Sequence, residues 1–164
     1  MKYVVIMGVA GSGKSTLARV LAERLGVPMI EGDEFHSLAS LEKMRSGMPL
    51  DDEDRETWLA RLGAQLRSQE HGAVLGCSAL KQRYREQLRA ARSPLYFVFL
   101  DIDRDSARAR VAARAGSHPF PAALIDSQFV ALEPPLAEPH VLRIAALQEP
   151  AVLLREVLAW LASA

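Results

Sequence analysis

Short apolar runs rich in β-branched residues alternate along this chain with longer stretches in which apolar side chains return every three or four positions. Tyr3–Met7 is the first such run and stops at Gly8, the pattern of a buried strand. From Lys14 to Leu25 the apolar Leu17, Val20, Leu21 and Leu25 fall at helical spacing, and Gly26 with Pro28 supplies a stop. Met29–Ile30 predicts a very short second strand running into Glu31-Gly32-Asp33. A short helix over Leu38–Arg45 closes at Gly47 and Pro49. A longer one, from Asp51 to about Gln69, opens on four acidic residues that suit the positive end of a helix and buries Trp58, Leu59, Leu62 and Leu66.

The alternation continues with a strand at Ala73–Cys77, a helix at Leu80–Ala91 and a strand at Leu95–Leu100. Arg104–Ala115 is helical by propensity, and Gly116 to Pro121 interrupts it with one glycine and two prolines. Ala122–Leu132 resumes the helix, Val141–Ala145 predicts a fifth strand, and Val152–Leu161 is a final amphipathic helix. Strands alternating with helices predict a parallel sheet covered on both faces, whose ligands lie at the carboxyl ends of the strands. That arrangement sets Gly8, Asp33, Ser78 and Asp101 along one rim.

At 164 residues the chain has the size of a single domain, 1–164. Its 49% hydrophobic and 24% charged residues exclude a disordered chain. Twenty basic residues balance twenty acidic ones, so no overall positive field favours nucleic acid or an anionic membrane, and any affinity for phosphate must be local. One cysteine, Cys77, can neither close an intrachain bridge nor build a multi-cysteine zinc site. The apolar start at Tyr3–Met7 is too short for a signal-peptide core or a membrane span, so the expected location is cytoplasmic.

Gly8-Val9-Ala10-Gly11-Ser12-Gly13-Lys14-Ser15 matches the phosphate-loop pattern between a predicted strand and a predicted helix, with Thr16 following. Glycines there let successive backbone amides curl around a phosphate, and the next helix points its positive end at the same place. Lys14 would reach the β- and γ-phosphates of ATP, and Ser15 would place its hydroxyl on Mg²⁺. Such a loop serves ATPases, GTPases and kinases alike. The third strand ends in Cys77-Ser78 with no aspartate, which leaves Asp33, or Asp101 and Asp103, as the acidic partner. Asp33 follows Glu31-Gly32, where the glycine permits a bend that aims both carboxylates at one site. A carboxylate there could organise Mg²⁺ or accept a hydroxyl proton; the plain alternative is that Asp33 caps the next helix. Asp101 and Asp103 read as caps of the helix at Arg104.

Beyond the phosphate loop, Glu31 to His36, Lys43 to Arg55, Trp58-Leu59, Cys77 to Lys81 with Tyr84-Arg85, Arg110, Arg114, His118, and Ser127-Gln128-Phe129 with Leu132-Glu133-Pro134 occur in order. In these blocks the chain resembles the gluconokinase family of small, shikimate-kinase-like P-loop kinases, over residues 1 to about 135. The resemblance implies a five-stranded parallel sheet of order 2-3-1-4-5 with a lid over roughly residues 110–125. It also implies a homodimer and ATP-dependent phosphorylation of D-gluconate at its terminal hydroxyl. On that basis Lys14, Asp33, Arg110 and Arg114 are the expected catalytic residues, with both arginines closing over ATP. His36, Lys43, Arg55, Lys81, Arg85 and Gln128, with Asp33, are of the right type to bind a polyhydroxy carboxylate. Read without the resemblance, Arg55 equally suits ion pairs with the acidic residues before it, and Arg85 an isolated surface charge.

The chain departs from the family at His36-Ser37-Leu38-Ala39-Ser40, where a proline and an asparagine are usual, and Ser40 keeps a polar group at the amide's position. Shikimate and nucleoside monophosphates are alternative acceptors. No triple glycine follows the third strand, as a shikimate site would require, and the lid at Gly116–Pro121 is short for a nucleotide kinase. A non-catalytic ATP-sensing module is the alternative outside enzymes.

Overall fold

A computed structural model describes residues 1–114 and 121–164. Its strands are β1 (Tyr3–Met7), β2 (Met29–Glu31), β3 (Ala73–Gly76), β4 (Tyr96–Asp101) and β5 (Val141–Ala145). Its helices are α1 (Lys14–Leu25), α2 (Leu38–Arg45), α3 (Asp52–Ser68), α4 (Gln82–Ala91), α5 (Arg104–Ala113), α6 (Ala122–Ala131) and α7 (Pro150–Ser163). The strands form one parallel sheet in the order β2-β3-β1-β4-β5, as the resemblance implied.

Strand side chains point alternately to opposite faces, so a strand buried on both sides feeds two cores. In β1, Val4 and Ile6 pack with Leu17 and Leu21 of α1 and Val157 and Leu161 of α7. Val5 and Met7 join Leu59, Leu62 and Leu66 of α3 and Leu88 of α4 on the other face. The outcome is a sheet between two helical layers, with α1 and α7 on one face and α3 and α4 on the other each burying an apolar stripe.

Several boundaries moved for local reasons. Asp51 is the N-cap of α3 rather than its first residue: its carboxylate accepts the Asp54 amide at 2.8 Å, and Asp54 returns a bond to the Asp51 amide at 3.1 Å. Helix α4 starts two residues later than its propensity suggests, because the chain first turns through Ala79, at φ 46°, before Lys81 becomes the N-cap. Asp103 caps α5, accepting the Ser106 amide at 2.8 Å. Asp101 does not cap it; its carboxylate pairs with Arg143 of β5 at 2.8 Å. The expected lid residues 115–120, with His118, lie outside the described residues.

Candidate active site

The carboxyl ends of β1, β2 and β3 open into a cleft of about 520 Å³, a size suited to a small-molecule site. One wall is the phosphate loop. Gly11, at φ +82°, has no room for a side chain, since a Cβ there would stand 2.8 Å from the Ala107 carbonyl. The loop is tied to its surroundings at three places. The Gly8 amide donates to the Ser78 carbonyl at 3.3 Å. The Ala10 amide donates to Gln128 Oε1 at 2.7 Å, and Arg110 Nη1 donates to the Gly11 and Ser12 carbonyls at 3.2 and 3.4 Å. Ala10, Gly11, Gly13, Lys14, Ser15 and Thr16 line the cleft, with Gly8, Val9 and Ser12 behind them.

Lys14 is half-buried, and its ammonium donates to the Val9 carbonyl at 3.0 Å. Desolvation lowers its pKa, against the opposing pull of Asp33, the first of the charges that face it. Arg114 lines the cleft and acts electrostatically on Lys14. Ser15 hydrogen-bonds the Glu31 side chain, whose carboxyl burial nevertheless pushes above the ordinary glutamate value.

The facing wall starts at the end of β2. Gly32 approaches β3 so closely that a Cβ would lie 2.4 Å from the Gly76 carbonyl, and this approach brings Glu31 and Asp33 to the phosphate loop. Asp33 sits in a 3₁₀ turn over Gly32–Phe35 with its side chain 82% exposed. It does not cap α2; Ser37 does, accepting the Ser40 amide at 3.0 Å. His36 lies with Nε2 3.8 Å from Asp33 Oδ1 and its ring stacked on Trp58 at 4.3 Å. Burial lowers the His36 pKa and favours the neutral ring. Trp58 Nε1 in turn donates to the Gly32 carbonyl at 2.7 Å, bracing the turn that carries Asp33.

The structure therefore gathers Lys14, Ser15, Asp33, His36, Arg55, Arg114 and Gln128 around one cleft. Arg55 makes no ion pair with the acidic start of its own helix among the described residues; it donates to the Tyr84 hydroxyl at 3.4 Å. Lys81 lines an adjoining cavity of about 230 Å³ that shares Arg55 and Ser127 with the cleft, and its ammonium pairs with Asp52 at 3.0 Å. Lys43 stands outside both cavities, paired with Asp54 at 2.8 Å. Arg110 backs the phosphate loop instead of lining the cleft.

Arg85 needs correction most plainly. It is fully buried, donating to the Ala79 carbonyl at 2.7 Å, the Glu133 carbonyl at 2.8 Å and the Glu138 carboxylate at 2.9 Å. Every face of its guanidinium is engaged inside the protein, so no substrate reaches it. Ser40 likewise turns inward, 3% exposed, with Ser37 donating to its hydroxyl at 3.0 Å. The bend at Gly32 does bring Glu31 as well as Asp33 to the phosphate loop, as the sequence suggested. Trp58 was expected only in the core, and nothing in the sequence ties it to the Asp33 turn.

A phosphate loop after the first strand of a 2-3-1-4-5 parallel sheet, faced across a cleft by an aspartate turn, defines a P-loop protein of the shikimate-kinase-like type. A family model described as an AAA domain matches residues 4–135. The fold is also that of shikimate kinase from Aquifex aeolicus vf5, at TM-score 0.59 and 14% identity over 98% of this chain and 96% of that one. A gluconokinase from Gluconobacter oxydans (strain 621H) is 45% identical over 96% of this chain and 89% of its own length. The crystal structure of a gluconokinase from Sinorhizobium meliloti 1021 superposes at TM-score 0.90, with 41% identity over 99% of this chain and 92% of the other. The chain belongs to the gluconokinase family.

Proposed function

We propose that the protein transfers the γ-phosphoryl group of ATP to the terminal hydroxyl of D-gluconate, giving 6-phosphogluconate. The observation that carries this reading is one cleft holding a phosphate loop with Lys14 on one side and Asp33 beside His36 on the other, in a member of the gluconokinase family. Lys14 and the amides of the loop hold the β- and γ-phosphates. Asp33, open to the cleft, orients the incoming hydroxyl and takes its proton. Arg114 faces the charge that spreads over the transferring group, and Arg110 holds the loop from behind. Arg55 and, from the adjoining cavity, Lys81 supply the positive charge that a sugar carboxylate needs. Gln128 and His36 contribute polar contacts to the polyol, and Lys43 is paired with Asp54 in the first turn of the helix that carries Arg55.

Oxygen donors suit Mg²⁺, which keeps several waters and takes few protein ligands. Ser15, bonded to Glu31, and Asp33 are of that kind, and no three-residue metal cluster occurs among the described residues. These residues would hold Mg²⁺, which would neutralise phosphate charge when bound. A cytoplasmic homodimer completes the proposal; the family resemblance supports the dimer, and sedimentation of the purified chain tests it. Among the described residues, no helix is long and apolar enough to cross a membrane. The deciding experiment is a panel of acceptors with ATP and Mg²⁺: turnover of gluconate is expected, and turnover of shikimate or a nucleoside monophosphate without gluconate would overturn the reading.

A further inference from the structure

Gln128 stands where the phosphate loop meets the acceptor side of the cleft. Its Oε1 accepts the Ala10 amide at 2.7 Å across 118 positions of sequence. An amide N–H can only donate, so the carboxamide is fixed with its oxygen toward the loop and its amino group turned away. That amino group carries two donors on a residue that forms part of the cleft wall with Lys14, Asp33 and Arg55. The preceding residue, Ser127, borders both the cleft and the adjoining cavity of Arg55 and Lys81. The Ser127 hydroxyl is engaged by the Leu124 carbonyl at 2.7 Å, which leaves the Gln128 amino group as the donor of this pair for a ligand.

A half-buried glutamine loses rotamer freedom when both ends of its amide are held. Whichever ligand orders it first makes the second cheaper to bind, with no change of backbone. We propose that Gln128 couples the two substrate sites: an acceptor hydroxyl held by its amino group fixes the carboxamide that holds the Ala10 amide, so the acceptor tightens the loop's hold on the nucleotide. The proposal rests on the gluconokinase reading given above. By thermodynamic reciprocity ATP tightens acceptor binding by the same factor.

Calorimetric titration of a non-hydrolysable ATP analogue with Mg²⁺ into the full chain, with and without saturating gluconate, tests the coupling. In the wild type, gluconate is expected to tighten nucleotide binding about three- to tenfold, the range of one neutral hydrogen bond. In Gln128→Met the ratio should fall to about one, with nucleotide alone bound more weakly than by the wild type. Gln128→Asn, with the same chemistry one methylene shorter, should behave like the methionine variant, and thermal melts check that both are folded. A wild-type ratio of one, or an undiminished ratio in either folded variant, overturns the coupling and leaves the kinase reading standing. A wild type that binds gluconate or nucleotide not at all overturns that reading, and the coupling with it.

Discussion

Replacing Arg85 with methionine separates a structural ion cluster from a substrate contact. The side chain is fully buried, and its removal takes the donor away from the Ala79 and Glu133 carbonyls and from Glu138, which is itself only 10% exposed. Arg89 remains on Glu138 at 2.9 Å, so the carboxylate keeps one partner. Breaking a buried pair by removing one member costs about 3–5 kcal/mol. For a domain of this length that corresponds to a fall in Tm of roughly 6–20 °C, measurable by calorimetry. Burial raises the Glu138 pKa, but hydrogen bonds from Arg85 and Arg89 outweigh it and hold the carboxyl below its ordinary value. A carboxyl depressed in the folded state stabilises the protein above its unfolded pKa of about 4.3 and ceases to do so as pH falls through the folded value. The difference in Tm between wild type and Arg85→Met should therefore be full at pH 7 and narrow below about pH 4.3. Assayed well below its Tm, the variant should keep its KM for gluconate within about threefold. An unchanged Tm together with a large rise in that KM would refute the argument from burial and return Arg85 to the substrate site.

Asp33→Asn should leave nucleotide binding largely intact and lower kcat by at least about a hundredfold, as measured by coupled assay and titration; unchanged turnover would remove Asp33 from the chemistry. Lys14→Ala should weaken ATP binding and lower kcat together, because the ammonium is the cation that the phosphate loop holds against the cleft, and wild-type values for both would contradict that placement. Trp58→Phe keeps a ring against His36 but deletes the donor to the Gly32 carbonyl, a bond of 2.7 Å. The loss should cost about 1–3 kcal/mol in denaturant unfolding and reduce kcat through the slackened Asp33 turn; full retention of both would show that Trp58 braces nothing.

Local sequence determined most of the architecture. The limits of β1, α1, α2 and β5 agree with the sequence to the residue: β1 is a continuous apolar run buried on both faces, α1 carries one apolar stripe, and α2 runs from the Ser37 cap to just before Gly47. The phosphate loop was legible for the same reason: its glycines, Lys14 and Ser15 are consecutive, and their geometry follows from backbone freedom and the start of α1. Asp33 was legible because a glycine next to an aspartate at a strand end has few uses.

What the pattern of residues could not assign was the partner of each long polar side chain. Arg85 and Lys43 have the chemistry of sugar-acid ligands, yet Arg85 meets Glu138 across 53 positions and Lys43 meets Asp54 across 11. Arg55 escapes the acidic residues beside it and turns to Tyr84, while Gln128 reaches Ala10 from the far end of the chain. Helical or strand periodicity states only which face a side chain occupies. Which charge it meets there depends on how the layers pack, and an arginine becomes a strut or a ligand according to whether that packing closes over its guanidinium or leaves it facing the cleft.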